Sequence, residues 1–302
     1  METLLWEIEN LKKEKNAVVL AHYYVDEEVQ NAADYVGDSY YLAKKAKSCN
    51  ADTIVFCGVA FMGESAKILN PAKNVLMPDA AADCPMAHMV TKEKILEMRK
   101  KYDDLAVVCY INSTAETKCL SDVCVTSSNA LKIVSALPNK NIFFVPDGNL
   151  GAYVKEKVKD KNVILNDGYC PIHHFFDAGE VERLKSEHPS AEVLAHPECR
   201  REVLDKADYI GSTSEIIAYT SESRNNEFII CTERGVLGEL RKNNPEKHFY
   251  FADKGRVCED MKLNTLEKLR DALKFNRYTV EVDEEIRIGA LKPLDRMLEM
   301  AQ

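Results

Sequence analysis

The sequence has no C-x-x-C pair, no long apolar run and no surplus of positive charge. Without C-x-x-C, a zinc finger, a zinc ribbon and a thioredoxin-type motif are excluded. No hydrophobic stretch approaches the ~20 residues of a membrane span, and Met1 to Lys15 reads as an amphipathic helix of mixed charge, not as a leader. The 40 Lys and Arg against 49 Asp and Glu leave a formal net charge of −9, with no basic stripe to offset phosphate repulsion. A soluble, cytoplasmic chain with no nucleic-acid or membrane partner is expected, and an anionic ligand must be held by local donors. Ten scattered cysteines do not form a secreted disulfide scaffold, and in a reducing compartment some of them become candidates for metal or cluster ligation.

What is present is an internal repeat. Val18–His22, Val107–Asn112 and Glu192–His196 are apolar runs with polar tips, each reading as a buried strand that ends in His22, Asn112 or His196. Downstream, Asp34, Asp122 and Asp208 each precede a hydroxyl by five residues: Ser39, Ser127 and Thr213, with Ser212 beside the last. A further strand follows in each copy, and a final strand runs into Cys84, Cys170 or Cys258. These three cysteines are spaced by 86 and 88 residues and are alone among the ten in holding a repeat position.

Each copy therefore reads helix, then β-α-β-α-β-α-β. The expected fold is α/β: three homologous four-stranded parallel-sheet sandwich domains in pseudo-threefold arrangement around a central site. The units span 1–86, 87–173 and 174–260, with helices opened by Thr91, Asp177 and Asn264. A C-terminal extension, 261–302, is expected to dock on the first unit and to contain a helix to Phe275, a strand at Tyr278–Val282 and a helix over Glu284–Ala301. Parallel sheets bind ligands at the carboxyl ends of their strands, so the strand tips and the hydroxyls, read as helix starts, should line one cavity suited to a small polyanion.

Three thiolates on one axis fit a [4Fe–4S] cluster with one iron free of protein ligands, or a zinc ion with an open position; buried inert thiols are the third reading. Cys57, Cys109 and Cys231 read as strand-core residues and Cys49 as a surface helix residue. The five-residue spacing of Cys119 and Cys124 matches no metal motif.

Ala21-His22-Tyr23-Tyr24, Gly37-Asp38-Ser39, Phe61 to Pro71, Tyr110 to Ser113, Thr126-Ser127-Ser128, Cys170-Pro171-Ile172-His173, His196-Pro197-Glu198 and Gly211-Ser212-Thr213 resemble the quinolinate synthase family, in order and over nearly the whole chain. The resemblance implies condensation of iminoaspartate with dihydroxyacetone phosphate to quinolinate, phosphate and two waters in NAD biosynthesis. It also implies transient coupling to L-aspartate oxidase or aspartate dehydrogenase. It carries a [4Fe–4S] cluster onto Cys84, Cys170 and Cys258, with an open iron acting as Lewis acid. Substrate contacts fall on His22, Tyr24, Ser39, Tyr110, Asn112, Ser127, His173, His196, Glu198, Ser212 and Thr213; catalytic roles fall on Tyr24, Glu198, His22 and Tyr110. The rival readings are a zinc-dependent lyase or hydrolase and a non-catalytic anion-binding protein on the same scaffold.

Overall fold

A computed structural model describes residues 2–301; Met1 and Gln302 lie outside the described residues. The first unit runs α1 (Glu2–Glu14), β1 (Ala17–His22), α2 (Glu27–Ala32), β2 (Tyr35–Gly37), α3 (Ser39–Ser48), β3 (Thr53–Cys57), α4 (Ala60–Leu69) and β4 (Asn74–Leu76). The second repeats it with α5 (Lys92–Lys101), β5 (Leu105–Tyr110), α6 (Ala115–Cys119), β6 (Val123–Val125), α7 (Ala130–Ala136), β7 (Asn141–Val145), α8 (Gly148–Lys157) and β8 (Asn162–Leu165). The third comprises α9 (Ala178–Glu187), β9 (Glu192–Ala195), α10 (Arg201–Leu204), β10 (Tyr209–Ile210), α11 (Thr213–Glu222), β11 (Glu227–Cys231), α12 (Leu237–Asn243) and β12 (His248–Phe251). The short α13 (Glu259–Lys262), α14 (Leu266–Phe275) and α15 (Glu284–Met300) follow.

Each unit forms one four-stranded, all-parallel sheet in the same order, with the first strand between the second and third and the fourth outermost. Continuous apolar runs such as Leu105–Tyr110, buried throughout, suit strands covered on both faces. In the third sheet the alternation is explicit: Val193, Ala195, Ile229 and Cys231 pack on one face, and Leu194, Phe228 and Ile230 on the other. One continuous core joins the first two sheets and the C-terminal helices.

The recurrent aspartates lock the central strands. Asp34, Asp122 and Asp208 each accept a backbone N–H from the residue fifteen positions earlier, Val19, Val107 and Val193, at 2.7–2.8 Å. Each aspartate's own N–H returns to that residue's carbonyl at 2.8–2.9 Å. This reciprocal pair pins the register of the second strand on the first, so these aspartates serve the fold and not the cavity. It also corrects the repeat alignment. Counting from the three valines, His22 corresponds to Tyr110 and His196, while Tyr24 corresponds to Asn112 and Glu198; the polar tip of β5 is its last residue, Tyr110.

The helix starts differ from expectation in two units. Ser39 is the first residue of α3, and Asp38 is its cap, accepting from Tyr41 N. Ser127 lies in a turn three residues before α7, because Asn129 Oδ1 takes the Thr126 N–H at 2.7 Å and delays the helix to Ala130. Ser212 is a true N-cap of α11, in a capping box with Glu215. Thr91 and Asp177 cap as expected. Thr265, not Asn264, caps α14; Asn264 is buried and donates to the Gly58 and Met261 carbonyls.

In the tail, α14 packs on α1, whereas α15 lies against α4 of the first unit and α6 and β6 of the second. The strand expected at Tyr278–Val282 is an extended segment with a single antiparallel bridge, Thr279 to Leu76. Left-handed Asn276 and Tyr278 bend the chain there, and β4 offers only three residues of edge. Leu294, fully buried on α15, tests this docking. Leu294→Ala should cost ~2–5 kcal/mol in urea unfolding, against under about 0.5 kcal/mol for Ile288→Ala on the exposed side of the same helix.

Candidate active site

All strands of a parallel sheet deliver their outgoing loops to one edge, and the three edges meet around a cavity of about 250 Å³. From the first unit it is lined by His22 at the end of β1, Tyr24 just after it, Ser39 after β2, and Cys84 after β4. The second supplies Tyr110, Asn112, Ser127, Cys170 and His173, and the third His196, Glu198, Thr213 and Cys258. Of the residues expected at the site from sequence, Ser212 alone is off the wall; it is buried behind Thr213 as the α11 cap. No lysine or arginine lines the cavity among the described residues, whereas Asp38, Asp83, Glu198, Glu259 and Asp260 do, so an anion there depends on the hydroxyls, imidazoles, amide and N-terminal turns of α3 and α11 that share the wall.

Glu198 is the electrostatic centre. Its Oε2 lies 2.8 Å from His173 Nδ1 and 3.1 Å from His196 Nδ1, and all three side chains are buried. The two imidazoles stack with centroids 4.3 Å apart. Burial alone would raise the Glu198 carboxyl, but the adjacent His196 and His173 hold it well below the ordinary carboxylate range. Burial and His196 lower His173, which fits a neutral ring donating Nδ1–H to the carboxylate. Its Nε2 then accepts from Thr232 Oγ1 at 2.9 Å. Thr232 Oγ1 is also 3.0 Å from the Tyr24 hydroxyl, which lies 2.6 Å from Thr213 Oγ1. Burial pushes both Tyr24 and Tyr110 well above the ordinary phenol, so both are proton donors at neutral pH.

Two buried polar atoms on the wall have no protein partner: Glu198 Oε1 and Asn112 Oδ1. Unsatisfied buried oxygens facing a cavity are a mark of a ligand site, since each costs the desolvation energy that a hydrogen bond would recover.

The Tyr24 loop is held from three sides. Gln30 Nε2 donates to the Tyr23 and Val25 carbonyls, and Lys262 Nζ donates to Tyr24 O at 2.7 Å. Gly235 packs flat beneath, where a Cβ would stand 2.7 Å from Tyr23 O. Lys262 Nζ is also 3.7 Å from the buried Glu233, whose Oε1 takes the Cys258 N–H at 3.1 Å. Burial raises Glu233 to about 7.

Each unit contributes one partly exposed cysteine to the cavity: Cys84, Cys170 and Cys258. Burial pushes the Cys84 and Cys170 thiols well up and Cys258 to about 11, so loading a metal there must expel protons. The three sulfurs do not form a tight group. The one set of donor atoms within 4.8 Å of each other among the described residues is Cys170, His173 and Glu198. A mononuclear thiolate zinc site, with Zn–S near ~2.3 Å, needs its sulfurs within roughly 4 Å of one another; wider spacing fits a larger group.

The other cysteines are core or peripheral. Cys109 and Cys124 are register partners in β5 and β6 and buried, whereas Cys119 ends α6 and is partly exposed. Cys49 caps the end of α3 and receives Lys73 Nζ at 3.1 Å; it is partly buried rather than a surface helix residue.

Residues 6–299 match the family described as Quinolinate synthetase A protein. The chain belongs to this family. Its relatives include proteins named quinolinate synthase from Fusobacterium nucleatum, 58% identical over 97% of this chain and 98% of the relative. Those of Caldicellulosiruptor bescii (53% identical, 99% of both chains) and Clostridioides difficile (51%, 99% of this chain and 98% of the relative) are similar throughout. The match marks the chain as an enzyme of the quinolinate synthetase type. No helix among the described residues is long and apolar enough to cross a membrane.

Thr232 was not singled out from sequence. Its signal was available: at the position after the third strand the units carry Gly58, Pro146 and Thr232, so the third unit alone has a hydroxyl there. Burial and the neighbouring His196 lower His22 to about 3 from an ordinary 6.5. Above pH ~6.5 this costs nothing, but below it the unfolded chain takes a proton that the folded chain refuses, so stability falls as pH drops from 6.5 toward 3. His22→Asn should lose less unfolding free energy than the parent between pH 7 and 5, measured by urea titration.

Proposed function

We propose that this enzyme condenses iminoaspartate with dihydroxyacetone phosphate, releasing phosphate and two waters, to form quinolinate for NAD biosynthesis, with a [4Fe–4S] cluster held by Cys84, Cys170 and Cys258. The observation that carries the reading is the meeting, in one cavity, of one cysteine from each unit with the unsatisfied oxygens of Glu198 and Asn112. When bound, the cluster supplies an iron without a protein ligand, a Lewis acid against a substrate oxygen or nitrogen.

The chain's own residues do the rest. The hydroxyls of Ser39, Ser127 and Thr213 and the N-terminal turns of α3 and α11 are donors for carboxylate and phosphate. The Asn112 amide orients a polar substrate group by its side-chain oxygen. Glu198, ionised and held in place by His173 and His196, accepts a proton at its free Oε1, and the Tyr24 hydroxyl returns one. His22 is neutral and Tyr110 protonated at the cavity wall, so both bind as hydrogen-bonding groups and not as charges. Ser212 acts through the α11 cap rather than by touching substrate. The unstable imine would be received from an L-aspartate oxidase or aspartate dehydrogenase in the cytoplasm.

A second reading rests on the compact Cys170, His173 and Glu198 set, which has the donor types of a mononuclear zinc site. Against it, His173 Nδ1 and Glu198 Oε2 already bond each other at 2.8 Å. Anaerobically purified protein should contain iron and sulfide, and Cys258→Ser should lose most of both; a colourless preparation holding one zinc would establish the second reading instead. Glu198→Gln should keep its iron and lose on the order of 100-fold or more in quinolinate formation from oxaloacetate, ammonia and dihydroxyacetone phosphate.

A further inference from the structure

We infer that Glu233, and Asp147 at the same place in the second unit, are positioning residues: each carboxylate anchors the backbone of the cysteine that ends its unit and so presents that sulfur to the cluster. The inference rests on the cluster ligands proposed above. Two residues beyond the third strand the units carry Val59, Asp147 and Glu233. Both carboxylates are fully buried and neither lines the cavity, so neither is placed to meet substrate.

Glu233 Oε1 takes the Cys258 N–H at 3.1 Å while Oε2 takes the Gly235 N–H at 2.5 Å, so one side chain ties the turn after β11 to the cysteine loop. That loop needs an anchor. Residues 255–258 have no regular structure, and Asp253, Lys254 and Gly255 just before them have φ of 51°, 60° and 79°, a run that persists only where the surroundings fix it. The Cys258 carbonyl is taken by the Lys262 N–H at 3.2 Å, which leaves the N–H as the group through which the rest of the unit can set the direction of the side chain.

The other units repeat the device with different residues. Asp147 Oδ1 caps α8 by taking the Asn149 and Leu150 N–H groups at 2.8 and 2.9 Å. Burial and Glu198 push its carboxyl well up, and the N–H groups of Leu150, Asn149 and Cys170 draw it down, which places it beside the Cys170 backbone. The first unit has a valine at this place, and there Asp83 Oδ1 takes the Cys84 N–H at 2.7 Å. Each of the three cysteines thus meets a carboxylate at its backbone N–H. Burying two such carboxylates is costly, and holding a metal ligand in its productive orientation is what outer-shell hydrogen bonds do.

The test uses Glu233→Gln and Asp147→Asn, which keep the shape but turn one acceptor oxygen into a donor, beside Lys262→Met, which removes the Glu233 ion pair and leaves the bond to Cys258. All are loaded anaerobically with iron and sulfide. Glu233→Gln and Asp147→Asn should each release iron to a ferrous chelator on the order of 10-fold faster than the parent, with an altered electron paramagnetic resonance spectrum of the reduced cluster. Lys262→Met should release iron within about twofold of the parent and keep the parental spectrum. Parental release and spectrum in both carboxylate variants would overturn the inference. So would Lys262→Met releasing iron as fast as Glu233→Gln, since that reports a lost ion pair and not a lost anchor. If Glu233→Gln does not fold, Asp147→Asn, which has no ion pair to lose, decides alone. A parent protein that takes up no iron would instead sink the cluster reading itself.

Discussion

A parallel sheet can make its connections in only one sense: every strand leaves at the same edge, and a helix must carry the chain back. All twelve strands among the described residues obey that constraint, and the three carboxyl edges meet at one cavity. The cysteines, histidines and hydroxyls need no separate explanation for their convergence, because each lies at or beyond the carboxyl end of a strand. The reciprocal bonds of Asp34, Asp122 and Asp208 make the arrangement reproducible in each unit by pinning the short second strand to the first.

Repetition of the frame leaves the tips free to diverge. At one position the units carry His22, Tyr110 and His196, and two residues on they carry Tyr24, Asn112 and Glu198. One unit therefore supplies a phenol, one an amide and one a carboxylate to the same wall. A site of three identical units would offer three copies of one group; divergence gives donor, acceptor and base around a single substrate. Keeping an ionised carboxylate in so enclosed a place requires the paired imidazoles, since an isolated buried charge is far too costly.

The strands, their order of occurrence and the wall of the cavity were largely legible from the repeat, because apolar runs and spacing are local in the chain. The alignment of the tips was not: the run Val107–Asn112 looks like a strand through Asn112, but the ladder of β5 on β6 ends at Tyr110, opposite Val125, and the bond from Val107 to Asp122 sets the repeat register. Helix starts were misread where a side chain intervened, as when Asn129 delays α7 past Ser127 or Thr265 displaces Asn264 as a cap. The tail strand failed because strand propensity does not create an edge long enough to pair with.

Sequence by itself determined the three parallel units, the three cysteines that share a register and the family, since these depend on periodicity, spacing and ordered motifs along the chain. Only the tertiary structure decided which polar groups touch. Tyr24, Thr232, His173 and Glu198 are joined across more than two hundred positions. A hydrogen bond of that kind depends on where three separately folded sheets bring their edges, which no local pattern records.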